Sequence, residues 1–155
     1  MLHRAFTMIE LLVVIIVVGI LAAMVVPKFA TAQQDTSLAA TAEDLKVIEA
    51  ALQMYVAKNG TYPRDVNRTK YPPELKPYFK NGNPFEKLVP LGGKYDYEGP
   101  PNWNPVQISM RTESGTVGHT EAEAQRLDDY MDDGNLATGL IRRQGGRTYY
   151  IVDYH

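Results

Sequence analysis

Four aspartates near residue 130 are the side chains of this chain whose type and spacing best suit a metal ion. Asp128, Asp129, Asp132 and Asp133 stand just before Gly134. Calcium prefers several carboxylate and carbonyl oxygens, although the spacing does not fit an EF-hand. The second interpretation is a solvated acidic helix end whose charge is compensated by arginines. Candidates for that compensation are Arg142, Arg143 and Arg147.

A fifth acid lies where charge is costly. Glu10 is near the start of an apolar run from Phe6 to Val26, with Lys28 just beyond it. As a helix rising about 1.5 Å per residue, this run can cross a hydrocarbon core of about 30 Å. An ionised group inside such a core costs a few kcal/mol. Either Glu10 reaches the membrane interface, or it pairs with a cation in an assembly, such as a free amine at Phe6 of a neighbouring copy.

Composition argues against several other kinds of chemistry. The chain of 155 residues has no cysteine, which excludes a disulfide, a thiolate zinc site and a cysteine nucleophile. His3, His119 and His155 are too far apart in sequence to show metal-ligand spacing. Ser114 is not in a nucleophile elbow, and "PLGGK" lacks the context of a phosphate loop. We therefore expect no enzyme. A net charge of −2 gives no reason to expect a nucleic-acid partner.

The element that carries Glu10 is predicted to be one long helix from Phe6 to Asn59. Its first half is apolar all round, and its second half, from Asp35, has a single apolar stripe. Asn59-Gly60 followed by Pro63 is a stop signal. The stripe consists of Leu38, Ala42, Leu45, Ile48, Leu52, Tyr55 and Val56. The charged residues expected off the stripe are Glu43, Asp44, Lys46, Glu49 and Lys58.

The remainder reads as short elements of mixed type. A helical turn is predicted at Pro73 to Phe79, and alternating strands at Gly93 to Glu98 and Val106 to Glu113. Thr120 is expected to cap a helix over "EAEAQRLDDYMDD" that ends at Gly134. The tail "GLIRRQGGRTYYIVDYH" predicts strands turned at Gly145-Gly146. The predicted fold class is α+β, a long helix followed by a small antiparallel sheet.

Three aromatic residues have two candidate roles. Tyr95, Tyr97 and Trp103 lie in and beyond the first predicted strand. They could form an exposed aromatic patch, but packing in the core is the more common fate of such side chains. The sequence leaves both roles open and favours the core.

The N-terminal segment "RAFTMIELLVVIIVVGILAAMVVPKF" resembles the class III signal of type IV prepilins and type II secretion pseudopilins. In that family a short polar leader and a small residue precede Phe, Thr, an aliphatic pair, Glu and an apolar helix containing Gly and Pro. The matching residues here are Phe6, Thr7, Met8, Ile9, Glu10, Leu11, Leu12, Gly19 and Pro27. One departure is Ala5, where the family usually has glycine. A cleavable secretory signal is disfavoured because the apolar core is long and continues as polar helix.

The resemblance implies how these residues act. A prepilin peptidase would cut between Ala5 and Phe6 and methylate the new Phe6 amine. Glu10 of an incoming subunit would pair with that amine on a subunit already in the filament. The segment between Gly19 and Pro27 would be able to lose helix on assembly. The implied organisation is a leader at 1–5, a membrane and filament-core helix at 6–27, an amphipathic helix at 28–59 and a pilin-like domain at 60–155.

Later segments are similar to the major pseudopilins of type II secretion, notably "VAKNGTYP" and the lack of cysteine, and more loosely "PLGGKYDYE" and "DDGNLATG…GGRTYY". The function implied is a filament subunit whose polymerisation drives protein export. A type IV pilus pilin is the alternative within the family, and an anchored periplasmic binding module that never polymerises is the alternative outside it. Implied partners are other copies, minor pseudopilins, the prepilin peptidase, an assembly ATPase and a platform membrane protein. The implied location is the bacterial inner membrane, with the C-terminal domain outside the cytoplasm. No cofactor is required; family likeness adds weight to calcium at the aspartates.

Overall fold

The computed structural model describes residues 7–80, 82–112, 114 and 118–153, apart from the side chains of Pro27 and Ala30. Contacts divide the chain into two units, Met1–Thr36 and Ser37–His155. The elements are α1 (Met8–Asn59), 3-10 turns at Pro73–Tyr78 and Pro84–Glu86, β1 (Lys94–Glu98), β2 (Val106–Arg111), α2 (Glu121–Met131), β3 (Ile141–Gln144) and β4 (Arg147–Asp153). The α+β class and the predicted order of elements are confirmed.

The long helix α1 is continuous from Met8 onward and ends where the sequence predicts. The helical assignment is continuous through the positions of Gly19 and Pro27, although Pro27 has no N–H to donate to the preceding turn. At the far end Gly60 takes a left-handed φ of 76°, and its N–H donates to the carbonyl of Val56 at 2.7 Å. A residue with a Cβ would be strained in that conformation. The Asn59-Gly60 pair therefore ends the helix by a local backbone preference.

The four strands form one antiparallel sheet in the order β1-β2-β4-β3. A tight turn at Gly145 and Gly146, with φ of 58° and 75°, joins β3 to β4. Positive φ at both positions is the geometry that matches the twist of a two-residue hairpin. The connection from β1 to β2 is longer and contains Pro100 and Pro101.

One face of the sheet and one face of α1 form the core of the second unit. The predicted stripe is buried from Leu38 to Leu52, whereas Tyr55 and Val56 are half-buried. Two side chains of the sheet also bond to the helix, since the hydroxyl of Tyr150 donates to Glu49 at 2.6 Å and that of Tyr95 to Asp44 at 3.4 Å. The sheet residues of the core include Tyr95, Tyr97, Ile108, Met110, Ile141 and Tyr150.

Helix α2 begins with the predicted cap. The hydroxyl of Thr120 accepts from the N–H of Glu123 at 3.2 Å, and the Glu123 carboxylate accepts from the N–H of Thr120 at 2.7 Å. This reciprocal pair satisfies two N–H groups that the helix leaves open. The helix ends at Met131, short of the predicted Gly134, because Asp132 leaves helical geometry with a φ of −143°.

Burial departs from the simple sequence pattern at two places. Asp44 was placed off the apolar stripe but is only 9% exposed, because Lys87 lies 3.5 Å from its carboxylate and Tyr95 bonds to it. The three aromatic residues do not share one fate either. Tyr95 and Tyr97 are fully buried, whereas Trp103 is 37% exposed at the surface.

Candidate functional site: an acid at the start of an apolar helix

The N-terminal part of α1 presents apolar side chains to its surroundings on every face. In the described residues from Met8 to Val26, the large apolar side chains are between 46% (Val25) and 93% (Met8) exposed. Among the described residues, α1 is the one helix long and apolar enough to cross a membrane. The described part of the first unit therefore forms no apolar core of its own, and exposed apolar surface of this extent is typical of a segment covered by lipid or by other protein chains.

Glu10 is held in place by the start of its own helix. Its Oε2 accepts from the backbone N–H of Thr7 at 2.8 Å and from the Thr7 hydroxyl at 2.6 Å. The Glu10 N–H donates in return to Thr7 Oγ1 at 3.3 Å. This is the same reciprocal cap seen at α2. The carboxylate is thus fixed at the positive end of the helix dipole, where negative charge is favoured.

The remaining N-terminal predictions have unequal structural support. Ala5 and Phe6, the predicted processing residues, lie outside the described residues. At Gly19, an added Cβ would meet no atom within 4 Å beyond the neighbouring residues and the backbone of its own helix. Gly19 and Pro27 both belong to continuous helix here. Their predicted role in local loss of helix stays a prediction.

Three of the four aspartates come together at the C-terminal end of α2. One carboxylate oxygen from each of Asp128, Asp132 and Asp133 lies within 4.8 Å of the others. Asp129 is not in this group; it is exposed, and its Oδ1 accepts from Gln125 Nε2 at 2.9 Å. The difference follows from helical spacing, because Asp129 is turned about 100° away from Asp128 on the helix.

Asp128 is the unusual member of this acidic cluster of Asp128, Asp132 and Asp133. Its side chain is fully buried, and neither carboxylate oxygen has a hydrogen-bond partner among the described residues. Burial, together with the charges of Asp132, Asp133 and Asp129, raises the pKa of Asp128 to about 6. A buried carboxylate without a partner is costly. The sequence spacing indicates this position, because Asp128 follows Ala124 by four residues and so lies on the same helix face. Both residues are buried in the structure.

The other two carboxylates of the acidic cluster already organise the loop that follows α2. Asp132 Oδ2 accepts from the N–H groups of Leu140 and, at 3.0 Å, Ile141. Asp133 accepts from the N–H of Asn135 at 2.9 Å and from the hydroxyl of Thr138 at 2.7 Å. A carboxylate offers about four acceptor positions, so these bonds leave lone pairs for a cation. The cluster therefore offers the oxygen atoms that calcium prefers, and Asp128 is its carboxylate without a hydrogen bond among the described residues.

Two of the three arginines proposed as compensating charges, Arg142 and Arg143, make hydrogen bonds outside the acidic cluster. Arg143 donates to the hydroxyl of Thr148 at 2.9 Å and lies 4.0 Å from Glu121. Arg142 donates from Nε to the carbonyl of Gly139 at 3.0 Å. These contacts stabilise β3 and the loop that precedes it. They leave Asp128 without a hydrogen-bonded cation among the described residues.

A second charged group was not predicted from the sequence. Asp96 and Glu98 on β1 are each 1% exposed, and Arg111 on β2 lies between them, in contact with Asp96 and 3.2 Å from Glu98. Gln107 and Ser109 donate to Glu98 at 2.6 and 3.0 Å. Burial raises the pKa of Glu98, against the opposing effect of these two donors.

His119 is the histidine that lies among the described residues. His119 is 6% exposed, and its Nε2 lies 2.9 Å from the hydroxyl of Thr148. Burial, with a contribution from Arg143, lowers the pKa of His119. His3 and His155 lie outside the described residues.

The fold is that of a type IV pilin. It matches the structure of the major type IV pilin PilA1 from Clostridium difficile with a TM-score of 0.55, at 16% sequence identity, covering 77% of this chain and 96% of that one. The family model described as the prokaryotic N-terminal methylation motif matches residues 1–26. Long apolar helix, small antiparallel sheet and methylation motif together define a pilin-like protein.

Sequence relatives identify the branch of this class. The type II secretion system core protein G of Pseudomonas aeruginosa is 32% identical over 131 residues, which cover 79% of this chain and 92% of that protein. The core protein G of Klebsiella michiganensis is 30% identical over 125 residues, covering 75% and 87%. This chain belongs to the type II secretion system core protein G family. The predicted family is confirmed.

Proposed function

We propose that this chain is a major pseudopilin, a subunit that polymerises into a filament and thereby drives protein export by type II secretion. The observation that carries the proposal is the fixed carboxylate of Glu10 at the start of an exposed apolar helix. Membership of the core protein G family supports it. The work done on an exported substrate would be mechanical, and no residue is assigned a catalytic role.

Assembly follows from the surroundings that the helix requires. In the membrane, lipid covers the apolar side chains of Met8 to Val26; in the filament, neighbouring helices cover them. A subunit leaving lipid must neutralise Glu10 in an apolar interior, because an unpaired buried charge is costly. The free amine of Phe6 on the subunit already assembled supplies the opposite charge. The bonds from Thr7 orient the carboxylate before it meets that amine.

The proposal includes the machinery that handles the subunit. A prepilin peptidase cuts between Ala5 and Phe6 and methylates the new amine. An assembly ATPase and a platform membrane protein drive extension, and minor pseudopilins join the same filament. The subunit crosses the inner membrane once, with its second unit outside the cytoplasm, before it enters the filament. The segment from Gly19 to Pro27 loses helix as subunits pack.

One alternative has an observation in its favour. The structural match to a major type IV pilin also suits a surface pilus subunit for adhesion, motility or DNA uptake. The greater sequence likeness to core protein G favours secretion. Deleting the gene separates them: loss of an exported protein supports the secretion pseudopilin, whereas loss of surface fibres with normal export supports the pilus.

Processing at Phe6 is the first expectation to test. Protein purified from its own membranes should begin at Phe6 and carry an added methyl group. Intact mass and N-terminal sequencing read both features. Protein that begins at Met1 would contradict the proposal, because the Phe6 amine would not exist and Glu10 would have no partner. The anchored binding module would then be the better description.

We further propose that the acidic cluster of Asp128, Asp132 and Asp133 holds calcium. Bound calcium would supply the positive charge that the buried Asp128 carboxylate lacks, and would tie the end of α2 to the loop that approaches β3. Asp128 is the essential ligand in this proposal, since its two oxygens have no hydrogen bonds in the described structure.

The wild type and the Asp128→Asn variant should exchange their order of stability when calcium is added. In chelator, Asp128→Asn should stabilise the full chain by about 1–3 kcal/mol, because it removes an unpaired buried charge. In millimolar calcium the wild type should gain up to about 2.7 kcal/mol if calcium reaches a hundredfold excess over its dissociation constant, and Asp128→Asn should gain nothing. Thermal unfolding in micelles measures both.

Asp129→Asn is the matched control, since Asp129 is the neighbouring acid on α2 but lies outside the acidic cluster. It should keep the full response to calcium. If calcium fails to stabilise the wild type, or stabilises Asp128→Asn equally, the calcium proposal is wrong.

A further inference from the structure

His119 is a buried histidine that neither polymerisation nor the acidic cluster uses. It is 6% exposed and directly precedes Thr120, the cap of α2. Its ring reaches β4, where Nε2 lies 2.9 Å from the hydroxyl of Thr148, a side chain that is itself fully buried. This contact therefore ties the start of α2 to the sheet.

The backbone beside His119 is held at the same place. Gly118 packs so closely against the loop before β1 that an added Cβ on Gly118 would overlap the backbone of Gly92 and Gly93. A side chain at position 118 would push the segment away from this loop. The start of α2 is therefore fixed by two contacts, the backbone of Gly118 on the loop and the ring of His119 on β4.

The hydrogen bonds of Thr148 decide which nitrogen of His119 carries the proton. The Thr148 hydroxyl accepts from Arg143 Nη1 at 2.9 Å. It has one hydrogen of its own to donate, and its other polar neighbour among the described residues is His119 Nε2. Thr148 therefore donates to Nε2. Neutral His119 accordingly carries its proton on the buried Nδ1, an assignment that follows from the hydrogen-bond pattern.

A second proton on His119 does not fit this arrangement. A protonated Nε2 would have to donate to Thr148, whose oxygen would then receive N–H groups from two cations while its own hydrogen lost its acceptor. Burial and the charge of Arg143 accordingly lower the pKa of His119, against weaker opposing effects of the Gly92 backbone and of Glu123. The contact with β4 thus requires the neutral ring.

The charged groups around His119 come from α2 and β3. Arg143 on β3 bonds to the same hydroxyl as the ring, and its Nε lies 4.0 Å from Glu121 on α2. Glu123 on α2 is engaged in the helix cap. The loop of residues 88–93 contains no titratable side chain. Among the described residues, no acid is hydrogen-bonded to the ring, so a charge on His119 would lack a bonded partner there.

We propose that His119 is an acid-sensitive latch between α2 and the sheet. Neutral His119 accepts from Thr148 and holds the start of α2 against β4. When His119 takes up a proton, this bond is lost and the ring moves into solvent, which releases the start of α2. The release is local, because the apolar core between α1 and the sheet does not include His119. The latch acts independently of the pairing of Glu10.

Urea unfolding of the full chain in micelles, in chelator and from about pH 7.5 to about pH 4.5, compares the wild type with His119→Gln. Glutamine keeps a neutral acceptor for Thr148 but takes up no proton. Because folding lowers the pKa of His119, the unfolded chain binds the proton first. The stability supplied by neutral His119 is therefore complete above about pH 6.5 and is lost as the pH falls.

Relative to His119→Gln, the unfolding equilibrium constant of the wild type should rise by up to about tenfold for each pH unit below about pH 6.5, until folded His119 itself titrates. The other titrating groups are common to both proteins and cancel in this ratio. Thr148→Ser, which keeps the hydroxyl, is the matched control and should keep the response. A ratio that stays constant over the whole range would overturn the proposal.

Hydrogen exchange of the wild type locates the release and requires no variant. The N–H of Ala124 donates to the carbonyl of Thr120 at 3.1 Å and reports the first turn of α2, whereas the N–H of Ile108 reports the inner strand β2. After correction for intrinsic rates, acid should accelerate exchange at Ala124 and leave Ile108 much less affected. Equal acceleration at both amides, or none at Ala124, would show that no latch opens.

Discussion

Glu10→Leu should abolish filament assembly while leaving membrane insertion and cleavage intact. The substitution removes the only charge between Phe6 and Val26, so insertion into lipid should be as good or better. Assembly should fail because the Phe6 amine of the preceding subunit is then left without its partner in an apolar filament core. Breaking one side of a buried pair typically costs about 3–5 kcal/mol. Fibres sheared from cells, compared with the amount of subunit in the membrane, measure the two effects separately.

Glu74→Leu is a suitable control, because Glu74 is an exposed acid on the second unit. It should assemble normally. Glu10→Gln adds a finer test: it keeps an acceptor for Thr7 but removes the charge, so it should also fail if pairing with the amine is the essential step. Fibres formed by both Glu10 variants would mean that Glu10 serves only to begin the helix, and the pairing mechanism would be wrong.

Arg111→Ala should strongly destabilise the second unit, because Arg111 belongs to a buried charged group with Asp96 and Glu98. It leaves Asp96 and Glu98 buried, 1% exposed each, without their shared cation. Removing one member of such a group costs about 3–5 kcal/mol, a large part of the stability of a small domain. Urea unfolding of the full chain, followed by Trp103 fluorescence, measures the loss of free energy.

Two further variants separate charge from packing. Arg68→Ala removes an exposed arginine close to Asp96, Glu98 and Arg111, and it should change the free energy of unfolding by no more than about 0.5 kcal/mol. Adding Glu98→Gln to Arg111→Ala should recover part of the loss, because one unpaired charge becomes neutral. If the free energy of unfolding of Arg111→Ala is within about 1 kcal/mol of the wild-type value, Arg111 does not stabilise the buried Asp96 and Glu98 as expected.

The features that could be predicted from sequence are those set by short-range rules. The stripe from Leu38 to Leu52, the cap at Thr120 and the turn at Gly145-Gly146 each depend on residues a few positions apart. Backbone preference and helical or strand periodicity decide such features locally. The family, likewise, was predictable because its signal is one continuous segment around Glu10.

The features that were missed depend on contacts between distant parts of the chain. Alternation in β1 predicts that Asp96 and Glu98 face solvent, yet residues 65–69 and Trp103 cover that side of the sheet. Asp44 lies off the apolar stripe in the sequence, yet it is buried by Lys87 and Tyr95, again from far along the chain. No local pattern states which loop will cover which face.

The acidic run near residue 130 lies between these cases. Its four aspartates predicted a cation site, but residue type alone does not distinguish Asp128 from the other three. Structure separates Asp128, which is buried without a partner, from Asp129, which is exposed. Helical spacing after Ala124 and Leu127 would have distinguished them, because it puts Asp128 on the buried face of α2.

The sheet order has a consequence for how the second unit folds. β4 follows the other three strands in sequence, yet it is the inner strand that joins β2 to β3. Until β4 is available, the β1-β2 hairpin and β3 are separate pieces with open edges, and open edges invite pairing with other chains. Formation of the sheet therefore depends on β4, whose pairing with β2 must close a long loop. A subunit truncated before β4 would lose two ladders at once and would be exposed to aggregation and proteolysis.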